Sequence, residues 1–122
     1  MRALAGSDFV LMPSRYEPCG LPQMMGPRFG TPAVARATGG LKDTVTPLDA
    51  TRTTGNGFVF RPHTAAALSG AIADAVRFYR EPEELRRQTL ERVMKESLES
   101  FTLANTARAY IDVYEKLIAE SR

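Results

Sequence analysis

Val10-Leu11-Met12-Pro13-Ser14-Arg15-Tyr16-Glu17-Pro18-Cys19-Gly20-Leu21-Pro22-Gln23 opens as an apolar run and stops abruptly at a proline. From Phe9 onward the run has the pattern of a strand covered on both faces, which predicts a central strand of a parallel sheet. The turn behind it delivers a lone carboxylate, a thiol and a glycine in front of a predicted helix. Open α/β sheets build their sites there, in the crevice beyond the carboxyl ends of the strands. A second short strand, Pro32-Ala33-Val34-Ala35-Arg36, ends in Thr38-Gly39-Gly40-Leu41. Two strand ends therefore present glycine-bearing turns, and the first also carries an acid.

Working outward, residues 1–7 read as the tail of a helix with Gly6 as its stop. Gly20 to Phe29 is a predicted helix that Gly26-Pro27 disturbs, because an interior proline removes a hydrogen bond. Leu41 to Val45 reads as one helical turn, residues 46–57 as a surface loop, and Gly57-Phe58-Val59-Phe60 as a third strand. The remainder is helical. Leu68, Ala71, Ile72, Ala75, Val76 and Tyr79 make one apolar stripe, and Leu90, Val93, Met94 and Leu98 a second. Pro82 is placed at the first position of the second of these helices, beside Glu83 and Glu84. The last helix starts near Thr102 and is expected to bury Leu103, Ala107, Tyr110, Ile111, Tyr114, Leu117 and Ile118. Arg108, Asp112 and Lys116 fall on its wet side, spaced to support it pairwise. The order predicts an α/β fold: a partial Rossmann-like three-layer domain with a parallel sheet of about three strands and a helical C-terminal tail. Sheets usually carry more strands, so the pattern reads as the second half of a larger doubly wound domain.

The 122 residues amount to one domain at most. A hydrophobic content of 43% and a charged content of 25% are those of globular chains. The net charge of +2, spread evenly, gives no footprint for nucleic acid. No apolar stretch approaches the ~18 residues of a membrane span. One cysteine rules out an internal disulfide and suits a reducing cytoplasm, and one distant histidine adds no zinc site.

Glu17 is the leading candidate for chemistry. A carboxylate at a strand end beside Cys19-Gly20 can accept hydrogen bonds from vicinal hydroxyls, as proteins do when they hold a hexose. The helix after Gly20 turns free N–H groups toward the same crevice, which favours an anion such as a diphosphate. A side chain at Gly20 would keep a ligand off the backbone. Spacing alone is equally compatible with Glu17 pairing to Arg15 at a surface turn. Thr38-Gly39-Gly40 reads either as an anion nest or as an ordinary tight turn. Cys19 has no histidine nearby to activate it, and His63 reads as a capping or solvent-exposed residue.

The combination Pro13-Ser14-Arg15-Tyr16-Glu17-Pro18-Cys19-Gly20-Leu21, then Gly30-Thr31-Pro32, then Thr38-Gly39-Gly40-Leu41-Lys42-Asp43-Thr44-Val45 resembles bacterial glycogen synthases and plant starch synthases. Phe101 to Leu117 is similar to that family's final helices. The resemblance implies a retaining glycosyltransferase of the two-Rossmann-domain (GT-B) type, with residues 1–122 as the C-terminal part of its nucleotide-sugar-binding domain. It implies that Glu17 contacts the donor glucose and helps stabilise positive charge at the anomeric carbon. Cys19, Gly20 and Leu21 would offer backbone groups to the sugar and phosphates, Pro22 would border the nucleotide, and Thr38, Gly39 and Gly40 would lie against sugar and diphosphate. The implied donor is ADP-glucose or UDP-glucose, the implied acceptor the non-reducing end of an α-1,4-glucan, with no metal or other cofactor.

The sequence also departs from the family pattern. The diphosphate-clamping arginine and lysine, and the N-terminal domain, are expected upstream of this stretch. Met25 stands where related transferases often carry a second, ribose-binding glutamate, and Leu103 where the family tends to have tryptophan. The isolated chain is accordingly expected to lack transferase activity. The competing expectation is a non-catalytic or split-enzyme module that associates, with an N-terminal half or a second copy, through its open sheet edge. Sucrose and trehalose synthases are disfavoured, since they more often read Glu-Gly-Phe-Gly where this chain has Glu17-Pro18-Cys19-Gly20.

Overall fold

The computed structural model describes residues 1–120. Strands β1 (Val10–Met12), β2 (Ala33–Arg36) and β3 (Gly57–Phe60) form one parallel sheet in that spatial order. The register sets Leu11 beside Val34 and Val34 beside Phe58. A short helix, α1 (Arg2–Ala5), precedes β1 and stops at Gly6 as expected. The central strand is β2, not β1: Ala33, Val34 and Ala35 are each 1% exposed. On β1 the outer edge lacks a partner among the described residues, and Leu11 is 54% exposed. The apolar run at Phe9–Met12 forms the expected parallel strand, but at the edge of the sheet and without cover on both faces.

Alternation along β2 divides the core into two layers, because successive side chains point to opposite faces of a sheet. Val34 faces a cluster with Phe58, Phe60 and, from helix α4 (Ala65–Tyr79), Ala71, Ala75 and Phe78. Ala33 and Ala35 face the other way, with Met12, Leu41 and Val45. Leu41 belongs to α3 (Gly39–Thr44), which starts at the glycine doublet rather than after it. Phe9, Phe58 and Phe78 pack edge-to-face or tilted, with centroids 5.7 to 6.4 Å apart. Such pairs add roughly 0.5–1.5 kcal/mol beyond area burial. Leu11 shares the face of Val34, but α4 packs over β2 and β3, so Leu11 lies beyond its cover.

The predicted helix at Gly20–Phe29 is two pieces. One turn of α-helix, α2 (Pro22–Met25), changes at Gly26-Pro27 into a 3₁₀ turn through Phe29. This segment packs under helix α5 (Glu83–Ser100), where the Ser97 hydroxyl donates to the Met24 carbonyl at 3.1 Å. Pro82 is the residue before α5 rather than its first helical position. The buried line of α5 is Thr89, Val93 and Ser97, with Leu98 53% exposed. In α4 the outer positions of the predicted stripe, Val76 and Tyr79, are likewise exposed, and Phe78 takes the core position. The loop over 46–57 is organised by Asp49, which accepts hydrogen bonds from the Thr51 and Thr53 hydroxyls and the Thr54 amide. The Thr51 bond is the main reason its carboxyl is lowered to about 2.

The largest correction concerns helix α6 (Leu103–Glu120), none of whose residues is buried. Leu103 is 90% exposed and Tyr110, Ile111, Tyr114, Leu117 and Ile118 are each more than half exposed. An amphipathic stripe buries only against a surface that needs it, and no other described element covers this one. On its polar side Arg108 donates to Asn105 instead of pairing with Asp112. Replacing Ile111 or Leu117 by Gln is therefore expected to change the stability of this chain by no more than about 0.5 kcal/mol, the range of surface substitutions. Urea unfolding midpoints check this, and a loss above about 1 kcal/mol would show that the helix is packed.

Candidate functional site

The two glycine-bearing turns meet beyond the carboxyl ends of β1 and β2. The Gly40 N–H donates to the Glu17 carbonyl at 3.0 Å. Backbone lies against backbone here: a Cβ on Gly39 would stand 2.0 Å from the Glu17 carbonyl oxygen, and one on Gly40 2.3 Å from that of Cys19. Gly39 also adopts φ +45°, in the left-handed region that side chains disfavour. This contact by itself requires glycine at both positions, before any ligand is considered.

Arg36, at the end of β2, ties the neighbouring strand exits to its own. Its Nη1 donates to the Arg15 carbonyl at 2.5 Å, after β1, and its Nε to the Arg61 carbonyl at 3.1 Å, after β3. No motif singles this residue out, although an arginine closing a central strand is placed to reach both flanking exits. Among the described residues no salt bridge joins Arg15 to Glu17, so the alternative surface pairing is not formed. The half-buried Glu17 carboxylate makes no hydrogen bond or salt bridge among the described residues.

The other predicted residues cluster around this junction. Cys19 is exposed, its thiol 3.4 Å from the Gly20 carbonyl, and Leu21 and Pro22 are exposed beside it. Thr38 caps the start of α3, with its carbonyl accepting from the Leu41 N–H at 3.1 Å. With α2 only one turn long, the helix-dipole contribution expected after Gly20 is reduced to that turn. His63 is exposed and lines a cavity of about 140 Å³ with Pro13, Phe60 and Thr64. Among the described residues, no three His, Cys, Asp or Glu side chains gather as a metal-binding group, and no helix is long and apolar enough to cross a membrane.

Sequence reasoning overlooked Gln23. This side chain is 1% exposed. Its Nε2 faces the Cys19 carbonyl at 2.9 Å, the Gly20 carbonyl at 3.0 Å and the Thr44 hydroxyl at 3.2 Å. Thr44 in turn donates to the Gly40 carbonyl at 2.6 Å. A side-chain relay thus runs from the first turn to the second, parallel to their backbone bond. The readable signal was a polar residue one helical turn after Cys19-Gly20, within reach of their carbonyls.

The Glu17 turn and the Gly39-Gly40 turn thus meet beyond the carboxyl ends of the strands, where open α/β sheets place their ligands. The chain belongs to the glycosyl transferases group 1 family, whose model matches residues 1–92. Within that family it is similar to glycogen and starch synthases over nearly its whole length. It is 46% identical over 113 residues to the glycogen synthase of Desulforudis audaxviator, covering 93% of this chain and 22% of that protein. With the glycogen synthase of Thermotoga maritima the identity is 41% over 116 residues, covering 95% and 23%. The catalytic domain of starch synthase IV from Arabidopsis thaliana, solved bound to ADP and acarbose, superposes with a TM-score of 0.78 at 33% identity. That match covers 95% of this chain and 24% of that one. A sucrose-phosphate synthase from Thermosynechococcus elongatus has the same GT-B architecture, with a TM-score of 0.68 at 28% identity over 97% and 27% of the two chains. The chain thus spans about a quarter of the length of these relatives.

Proposed function

We propose that this chain forms part of the donor site of a glycogen or starch synthase, which moves glucose from ADP-glucose (or UDP-glucose) to the non-reducing end of an α-1,4-glucan. The observation that supports the reading is the Gly40-to-Glu17 junction, a backbone contact that brings the turn carrying Glu17 against the glycine turn. In this role Glu17 accepts from hydroxyls of the donor glucose and opposes the positive charge that develops at its anomeric carbon. Backbone groups of Cys19, Gly20 and Leu21 meet the sugar and phosphates, Pro22 borders the nucleotide, and Thr38, Gly39 and Gly40 lie against sugar and diphosphate. The ADP in the starch synthase IV structure favours an adenine donor, and the lone Cys19 suits a cytoplasmic setting.

Breaking the glycosidic bond to a diphosphate needs cations fixed where negative charge grows. In this reading those cations and the acceptor surface come from an N-terminal half, which also meets the free edge of β1 and the apolar face of α6. The isolated chain is then inactive, since each missing electrostatic donor costs roughly 10²–10³ in turnover. The test is to add ADP-glucose and glycogen to the isolated chain. Glu17, Gly20, Gly39 and Gly40 amide resonances are expected to shift with no extension of glucan. Shifts confined to other residues overturn the donor-site assignment, and measurable extension overturns the need for a second half. The unpaired edge of β1 also supports the associating-module reading, for which sedimentation would show concentration-dependent dimers.

A further inference from the structure

We infer that Gln23 is a positioning residue for this site: its buried side-chain amide holds the Cys19–Gly20 turn and the Gly40 turn in one fixed relation. The inference rests on the donor-site reading for its consequence, but not for its geometry. Two N–H protons on Nε2 serve three acceptors, the carbonyls of Cys19 and Gly20 and the hydroxyl of Thr44. Thr44 passes the constraint to Gly40, whose own N–H is bonded to Glu17. Gln23 therefore bears on both strand-end turns while lying beneath them, away from solvent.

The other end of the same side chain argues against a merely space-filling role. Oε1 is buried without a hydrogen-bond partner, the arrangement that folding ordinarily avoids. Turning the amide over would only set this acceptor against two carbonyls, so the orientation is fixed by the turn. Methionine fills nearly the same volume and removes the Oε1 orphan, but takes away the donor that serves the Cys19 and Gly20 carbonyls. If packing were all that mattered, an apolar residue would serve better. Gly20 completes the fit: it has φ +76°, and a Cβ there would stand 2.5 Å from Oε1. The amide and the glycine are thus mutually dependent, the turn closing onto the side chain that holds it.

The test uses the chain itself, in wild-type form and as Gln23→Met and Gln23→Glu, read by amide hydrogen exchange and by titration with ADP-glucose. For Gln23→Met the melting temperature is expected to fall by a few degrees, as the Cys19 and Gly20 carbonyls lose their donor. The Gly40 amide should exchange about tenfold faster, and the Kd for ADP-glucose should rise about tenfold, the size of one lost net hydrogen bond. In Gln23→Glu a carboxylate faces two carbonyls, and burial raises its pKa; only the protonated acid donates. Binding relative to wild type should therefore be weak at pH 8 and recover toward pH 5. A residue that mattered only for stability would lower the melting temperature while leaving the Gly40 amide exchange and the Kd unchanged, and would give a binding ratio flat with pH. Unchanged Gly40 exchange in Gln23→Met overturns the inference, as does a Gln23→Met chain that fails to fold. If the wild-type chain does not bind ADP-glucose, the donor-site reading falls, and the exchange result alone decides the coupling.

Discussion

Gly39→Ala is expected to destabilise the chain by about 2–5 kcal/mol, a large share of the roughly 5–15 kcal/mol that holds a domain together. Two costs add. The left-handed backbone at φ +45° is worth about 1–2 kcal/mol to any residue with a Cβ. The new methyl would also stand 2.0 Å from the Glu17 carbonyl oxygen, a backbone atom that cannot swing aside, and overpacking of this kind costs about 1–3 kcal/mol. Relief requires the two turns to part, which breaks the Gly40-to-Glu17 bond as well. Urea unfolding measures the loss as a lower midpoint at constant slope. Gly70 is the internal control: nothing lies within 4 Å of a Cβ there, and it sits inside α4. Gly70→Ala should thus stabilise by up to about 1 kcal/mol through helix propensity. Equal behaviour of the two variants would show that the turns are not in contact.

The contrast between these glycines marks what a sequence can convey. Gly39 and Gly40 are legible as a turn at a strand end but not as the close backbone contact that requires glycine there, whereas the apolar runs at 33–36 and 57–60 are legible because buried parallel strands are near-continuous apolar stretches. Local punctuation was equally legible: Gly6 as a stop, and Gly26-Pro27 as the point where α2 becomes a 3₁₀ turn. Errors arose wherever a residue's state depends on a surface far away in the chain. The run Phe9–Met12 looks central by composition, yet Leu11 is exposed because α4 covers only the strands beside it. On α5, Thr89 and Ser97 are buried and Leu98 is not, since Ser97 bonds the Met24 carbonyl in a segment 73 residues away. Periodicity gives α6 an apolar face but cannot supply the surface that would bury it. Gln23 and Arg36 were overlooked for a related reason: both act on backbone carbonyls, which every residue possesses and no motif advertises.

Glu17→Gln is expected to lower kcat by about 10²–10³-fold, the usual effect of deleting one preorganised electrostatic stabiliser. The assay requires a complete cleft. It is best made in the Thermotoga maritima glycogen synthase, 41% identical to this chain, with its matching segment replaced by these residues. Glutamine keeps the size of the side chain and one acceptor oxygen, so hydrogen bonds to the ground-state sugar largely survive. The negative charge is lost, and it matters chiefly as the anomeric carbon becomes positive. An interaction made mainly in the transition state shows itself as a fall in kcat and kcat/KM together, with KM little changed. Stability should not fall, because the Glu17 carboxylate has no hydrogen-bond or ion partner among the described residues. A raised KM at constant kcat would instead make Glu17 a simple sugar-binding group. A lowered unfolding midpoint would make it part of the scaffold, leaving the charge-stabilising role to another residue.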